Sequence, residues 1–294
     1  MSIPINSQCI QCTLDRNIRT LRDMGCDEAS VTAFTRELMQ LLLDISPEDP
    51  SLCAVPGIAD LFTKYAGCPE DRFFAEKQES NRFFLARMEQ IRSLVESASD
   101  PVYAGLQYAI LGNYIDFSAL QGEVDLNKLD ALLAQGRQIT VDETVYQQLL
   151  ADLASGKRLL YLTDNAGEIG FDRIFAEQLQ KAYPHLEITF CVKGGPANND
   201  ALRQDAIDVG VPFPVIDNGT RIPGTQLNRC NEVTRRAMAQ SDVIFSKGQA
   251  NAETLLGCGY NIYYAFLVKC KIFIDLFRQP KLTPMLVRER SFRR

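Results

Sequence analysis

K-R-L-L-Y-L-T-D-N-A-G-E-I-G-F-D, residues Lys157 to Asp172, is the stretch on which the fold turns. Leu159, Leu160, Tyr161 and Leu162 form a short continuous apolar run, the pattern of a strand buried on both faces of a parallel sheet. Thr163-Asp164-Asn165 ends the run, and Phe171, Ile174, Phe175, Leu179 and Ala182 then recur at helical spacing. Asp164 and Asn165 therefore fall at the carboxyl end of a strand, just before a helix, where open α/β sheets bind ligands. Two adjacent hard oxygen donors in that place suit Mg²⁺ or Mn²⁺. Asp-Asn-Ala-Gly is equally good turn and helix-cap chemistry.

Working outward, the same rhythm repeats from Gly156 to the end. A second strand over Leu186–Val192 runs into K-G-G-P-A-N-N-D (193–200), followed by a helix from Ala201 to Val209. A short strand over Pro212–Ile216, a long polar loop over Asp217–Asn228 that could act as a lid or face the substrate, and a helix over Glu232–Gln240 come next. A strand over Asp242–Phe245 ends in Ser246-Lys247-Gly248-Gln249-Ala250-Asn251-Ala252-Glu253, and Asn261–Val268 is the last clear strand. The tail is basic, with four Arg in the last seven residues, and reads as solvated. Strand and helix in alternation predict a parallel sheet with crossover helices.

Upstream, the period is helical almost throughout, ending with helices expected over Leu126–Leu133 and Val145–Leu153. Val31, Phe34, Leu38, Leu41 and Leu42 share one helix face, and Asp100-Pro101 is a good cap and first-turn pair. The expected fold is α/β: an all-helical N-terminal domain at 1–155 and a Rossmann-like α/β/α sandwich with a mostly parallel sheet at 156–294. In the helical part, L-G-N-Y-I-D-F (111–117) puts Asn113 and Asp116 three apart on one face at a helix end, which plain capping would also explain.

Composition narrows the classes. The 294 residues are 46% hydrophobic and 23% charged, as in ordinary soluble globular proteins. A formal charge of −6 argues against a nucleic-acid backbone or an anionic membrane as main partner. No apolar run approaches the roughly 18–20 residues that span a bilayer. The first residues lack both a basic n-region and an apolar h-region, so a cytoplasmic location is expected. The sequence does not speak to oligomeric state. Nine scattered cysteines do not resemble a secreted disulfide framework. Cys9-x-x-Cys12 could hold structural Zn²⁺ if Cys26, Cys53 or Cys68 joined it, or could be core thiols. The single histidine, His185, follows Tyr183-Pro184 in a helix–strand connection. Catalysis should then rest on carboxylates, amides, lysine and a metal.

Ends of parallel strands share one rim, so Asp164-Asn165, Asn199-Asp200 and Ser246-Lys247-Gly248-Gln249 should converge there. Two carboxylates and an amide make a hard-cation site. Lys247, beside a glycine turn, should reach the rim as a point charge, and the N–H groups of Gly194 and Gly195 could cradle an anion. No Walker-type G-x-x-x-x-G-K-[ST] occurs, so NTP-driven chemistry is not indicated.

These residues carry a resemblance. T-D-N-A-G-E-I-G-F-D, K-G-G-P-x-x-N-D-A and S-K-G-Q-x-N-x-E-T are similar to the metal-dependent damage-control phosphatases, long known as domain of unknown function 89 and including acidic-residue methyltransferase-like proteins. G-N-Y-I-D-F and the N-terminal C-x-x-C match the compact prokaryotic branch, so the resemblance spans nearly the whole chain. It implies a helical domain on an α/β/α sandwich, with Asp164, Asn165 and Asp200 as metal ligands. Lys247 would bind phosphate, and Asn113 and Asp116 would enter the pocket, completing a catalytic set with Asp164. Glu168, Asn199, Asp205, Asn251 and Glu253 also fall in matched motifs; with Gly194 and Gly195, all of these but Asp205 are expected on the substrate side. Pro196-Ala197-Asn198 and Ala250 depart from the pattern and should alter the pocket lining rather than abolish metal binding.

The implied activity is a phosphatase using Mg²⁺, Mn²⁺, Co²⁺ or Ni²⁺ on a small phosphorylated metabolite, such as a damaged or side product. Two alternatives stay open. An S-adenosylmethionine-dependent carboxyl methyltransferase would want a glycine-rich first loop and an acidic ribose ligand after the second strand. A non-catalytic metabolite-binding protein on the same fold is the other.

Overall fold

The computed structural model describes residues 2–114, 133 and 136–289. Among the described residues six helices come first: α1 (Ser7–Asp23), α2 (Glu28–Leu43), α3 (Val55–Ala66), α4 (Phe74–Glu96), α5 (Pro101–Gly112) and α6 (Glu143–Ser155). Their starts are written locally. The side chains of Asn6, Asp27, Asp100 and Asp142 each accept a hydrogen bond from a backbone N–H of the first turn, worth about 1 kcal/mol apiece. α3 stops where Gly67 turns left-handed, at φ 64°.

Strand and helix then alternate: β1 (Arg158–Leu162), α7 (Glu168–Ala182), β2 (Glu187–Val192), α8 (Arg203–Asp208), β3 (Val215–Asp217), α9 (Glu232–Gln240), β4 (Val243–Lys247), α10 (Gln249–Leu255), β5 (Ile262–Leu267), α11 (Lys271–Phe277) and β6 (Pro284–Arg288). The strands form one sheet in the order β3-β2-β1-β4-β5-β6, parallel except for the β5–β6 pair. Every residue of β4 and β5 is buried, which is why they read as continuous apolar runs. Strand order reverses between β1 and β4, so the crevice at their carboxyl ends is the switch point where such sheets take ligands.

One hydrophobic core joins the helical half to the sheet. α5 is buried from Ala104 to Gly112 and lies so close to α7 that a Cβ on Gly105 would come within 3.2 Å of the Phe175 backbone. Beneath α7, the Tyr161 and Phe190 rings stack at 4.7 Å with 4° between planes. The opposite sheet face packs Leu160, Ile244, Tyr264 and Phe266 against Met238, Leu255 and Phe273 from α9, α10 and α11. A separate cluster around Phe34 and Phe62 holds α1, α2 and α3 together.

The chain departs from its sequence reading in three places. β4 continues two residues beyond Phe245 and includes Lys247, because Ser246 and Lys247 keep pairing with β5. α11 and β6 follow the last expected strand, and β6 turns Arg288 inward to Asp152 and Asn261. Residues 217–228 are no lid: Asn218 and Thr225 are 1% exposed, and Thr225 hydrogen-bonds Asn251 and Thr254 of α10. The helix expected over Leu126–Leu133 lies, except for Leu133, outside the described residues, as do Asp116 and positions 290–294. His185 is exposed in the α7–β2 connection. No described helix is long and apolar enough to cross a membrane.

Candidate active site

Asp164 and Asn165 follow β1, and Asp200 follows β2. Backbone pairing brings them together: Asn165 and Asp200 form an isolated bridge, with Ala201 N–H on Asp164 O at 2.8 Å and Ala166 N–H on Asn199 O at 2.9 Å. Asp164, Asn165 and Asp200 are all at least 94% buried. From α7, Glu168 reaches the same spot. The Asn113 side-chain amide, at the end of α5, donates to Asp164 Oδ2 at 2.8 Å and to Glu168 Oε2 at 2.9 Å. The Asn165 amide donates to the same two oxygens, both at 3.0 Å. Four of the expected site residues thus meet in one hydrogen-bonded knot.

The third strand end contributes by close approach. Gly248, at φ 80°, lies so near Asp164 that a Cβ built on it would fall 2.0 Å from the Asp164 carboxyl carbon. Lys247 is expected at the rim from the sequence, but it is a strand residue and turns inward instead. It is wholly buried, and its ammonium donates to Glu168 Oε1 at 2.7 Å, Asp172 Oδ1 at 2.7 Å and Ala109 O at 2.6 Å. Three acceptors use its three N–H bonds, leaving none for a phosphate. Burial alone would lower its pKa, but the Asp172 and Glu168 charges outweigh that and hold it protonated.

Other expected contacts are also spent. Gly194 N–H donates to Thr220 O and Asn218 Oδ1, and Gly195 N–H to Thr220 O, so this loop presents no anion cradle. Gly194 is there because a Cβ would fall 2.5 Å from the Gly219 backbone. The Asn251 amide bonds Thr163 O and Lys247 O, and its carbonyl takes Thr225 Oγ1, which ties β1, β4 and the 217–228 loop together. Asn199 enters through its backbone, and Glu253 sits apart on α10. There burial raises its carboxyl to about 7, among the Cys9, Cys53 and Cys270 thiols.

Four contributors escaped the sequence reading. Asp172, one turn after Glu168, takes Lys247 and Tyr161. Lys193, 3% exposed, donates to Thr163 O and pairs with Asp200 at 3.4 Å. Asn81 of α4 bridges both site loops: its amide donates to Asp205 at 2.8 Å, and its carbonyl accepts Gly167 N–H at 2.8 Å. Gly248 is the fourth. Asp172 and Lys193 stand inside the quoted motifs and Gly248 carries a strand-end signal, whereas Asn81 has no local one.

Electrostatically the knot is short of positive charge. Burial, then the neighbouring Glu168 and Asp200 charges, push Asp164 well above the usual carboxylate range. Asn113 Oδ1 is buried without a hydrogen-bond partner among the described residues. A cation fits this donor set. Among the described residues no three His, Cys, Asp or Glu side chains form a metal cage, so such a cation would rely on two carboxylates, amide oxygens and water or substrate, as Mg²⁺ commonly does. Cys9 and Cys12 are half-buried and exposed free thiols, and among the described residues no group of three ligands gathers around them.

A Rossmann-like α/β fold with a carboxylate–amide knot at its switch point defines the class. The chain belongs to the family of the damage-control phosphatase ARMT1-like domain, whose profile matches residues 5–282. It is 28% identical over 282 residues to the uncharacterized protein MJ0202 of Methanocaldococcus jannaschii, covering 92% of this chain and 90% of that one. It is 32% identical over 180 residues to the damage-control phosphatase PH1575 of Pyrococcus horikoshii, covering 60% of this chain and 61% of that one. A damage-control phosphatase of Archaeoglobus fulgidus is 28% identical over 209 residues, 69% of this chain and 70% of its own. The crystal structure of PH1575, a DUF89 family protein, has the same fold, with a TM-score of 0.82 at 24% identity over 97% of this chain and 99% of that one.

Proposed function

We propose that this protein is a divalent-metal-dependent phosphatase that hydrolyses a small phosphorylated metabolite, a damaged or side product of metabolism, in the cytoplasm. The observation that carries the reading is the Asp164–Asn165–Asp200 cluster at the switch point, buried, hard in its donors and short of positive charge. The names of the Pyrococcus and Archaeoglobus relatives support a phosphatase with a repair role. Asp164, Asn165 and Asp200 would hold the cation. When bound, it would supply charge to the phosphoryl oxygens and orient the nucleophile.

The remaining roles belong to the chain's own side chains. The Asn113 and Asn165 amides hold Asp164 and Glu168 in one orientation. Lys247 ties Glu168 and Asp172 together from below through contacts of 2.7 Å to each, acting on the site through Glu168 rather than on the phosphate. Appearance of an acyl-phosphate in rapid-quench samples would distinguish attack by Asp164 from attack by water. Methyl transfer is disfavoured because β2 ends in Lys193, paired to Asp200, where a ribose-binding acid would stand.

The test is phosphate release from a panel of phosphate esters with Mg²⁺, Mn²⁺, Co²⁺ or Ni²⁺ and with EDTA. Hydrolysis should need metal, and Asp164→Asn and Asp200→Asn should each lower kcat/KM by at least about 10²-fold. Metal-independent hydrolysis, or full activity in either variant, would overturn the assignment.

A further inference from the structure

A groove of about 1020 Å³ runs between α1 and the segment leading into α4, lined in part by Cys12, Arg16, Arg19, Arg72, Phe73 and Lys271. Lys271 opens α11, two residues beyond Lys269, whose charge reaches Asp164. Arg72 and Phe73 also border a small cleft with Pro196 and Asn198, in the loop that leads to Asp200.

Arg72 is the unusual residue here. Its guanidinium lies over the Phe62 ring at 3.9 Å and the Phe73 ring at 4.7 Å, so it is held in place by packing. Among the described residues no carboxylate forms an ion pair with it, and its Nη1 is buried without a hydrogen-bond partner. The charge nearest to it in effect is another cation, Arg16, and burial together with Arg16 lowers its pKa. Glu76 offsets this in part. A half-buried guanidinium, packed in place within the field of a second cation, is costly unless an anion joins them. Guanidinium pairs bind phosphate and carboxylate groups through two parallel N–H bonds. Asp15, Asp23 and Glu76 also line the groove, yet its cations still outnumber them in a chain whose net charge is −6.

We propose that this groove binds a second anionic group of the substrate, a phosphate or carboxylate remote from the phosphoryl group that is cleaved, with Arg16 and Arg72 as its ligands. The substrate class is then a bis-anionic organophosphate. This rests on the phosphatase reading above, and the experiment separates the two.

In EDTA, where rim metal is absent, calorimetry with inorganic pyrophosphate should show binding to the wild-type protein that weakens by about 10–100-fold in Arg16→Gln and in Arg72→Gln. With metal, the ratio of kcat/KM for glucose 1,6-bisphosphate to that for glucose 1-phosphate should fall by a similar factor in both variants, through KM. Arg72→Gln also loses packing on Phe62, whereas Arg16 is exposed on α1, so Arg16→Gln reads the charge without risk to the core. Equal pyrophosphate affinity in wild type and Arg16→Gln would overturn the anion site. Weakened pyrophosphate binding with an unchanged kcat/KM ratio would overturn its assignment to the substrate. Weakened binding with no ester hydrolysed by any form would support the anion site and sink the phosphatase reading instead.

Discussion

At Gly248 two constraints coincide. Its φ of 80° suits glycine, and the space a Cβ would need is taken by the Asp164 carboxylate. Gly248→Ala must therefore strain the turn or push Asp164 out of the knot. We expect kcat/KM to drop by at least about 10²-fold, with Mn²⁺ affinity falling alongside, while unfolding stability drops only about 1–2 kcal/mol. Calorimetric Mn²⁺ titration and urea unfolding check both halves; normal Mn²⁺ binding would mean that Asp164 tolerates the displacement. Lys247 makes the opposite case. Its removal leaves Glu168 and Asp172 buried without their shared cation, which for buried pairs costs about 3–5 kcal/mol. Lys247→Met should lose stability on that scale in urea, and a variant as stable as wild type would show that the ammonium is not holding the core.

Among the elements, α4 has a role beyond packing. It presses on α7 so closely that a Cβ on Gly167 would meet Ser80 at 2.7 Å and one on Gly170 would meet Phe84 at 2.3 Å. From the same face Asn81 ties Gly167, after β1, to Asp205, which in turn accepts Leu202 N–H after β2. Lys77 pairs with Asp71 at 2.5 Å and stands 3.9 Å from Asp205. α4 thereby sets the separation of the two loops that carry Asp164 and Asp200. Asn81→Ala strands two buried partners and should cost about 1–3 kcal/mol. If the clamp sets ligand spacing, Mn²⁺ affinity should also weaken by about tenfold at temperatures where the variant is fully folded. Unchanged affinity in folded protein would confine Asn81 to a structural role.

If the Asp164–Asn165–Asp200 site takes a cation, the whole molecule should respond to it. A cation that binds only the folded state adds about 2.7 kcal/mol at a hundredfold excess over its dissociation constant. Mn²⁺ or Mg²⁺ should therefore raise the melting temperature by several degrees, and EDTA should reverse the rise. In Asp164→Asn the shift should vanish, while the metal-free variant melts at or above the wild-type temperature, because a buried carboxylate with a raised pKa is costly to keep charged. The same shift in Asp164→Asn and wild type would place the cation elsewhere.

Much of this molecule was legible along the chain, because the deciding patterns are local. Leu159–Leu162 and the 3.6-residue period after it specify a buried strand and its helix, and repetition of that unit specifies the parallel sheet. The strand-end rule then located Asp164, Asn165 and Asp200. Glu168 entered only with the resemblance, which also turned Asn113 from a helix-end cap into a pocket residue, and both joined the knot. What the chain could not disclose depends on contacts distant in sequence. Lys247 reads as a loop lysine until β5 pairs with two more residues and turns it inward to α7. Gly194 and Gly195 look like an anion cradle until Thr220, from a different connection, takes their N–H groups. Arg72 and Arg16 line one groove only because α1 lies beside the entry to α4. Periodicity reports which face of an element is buried, but only the packed fold decides which charge that face will meet.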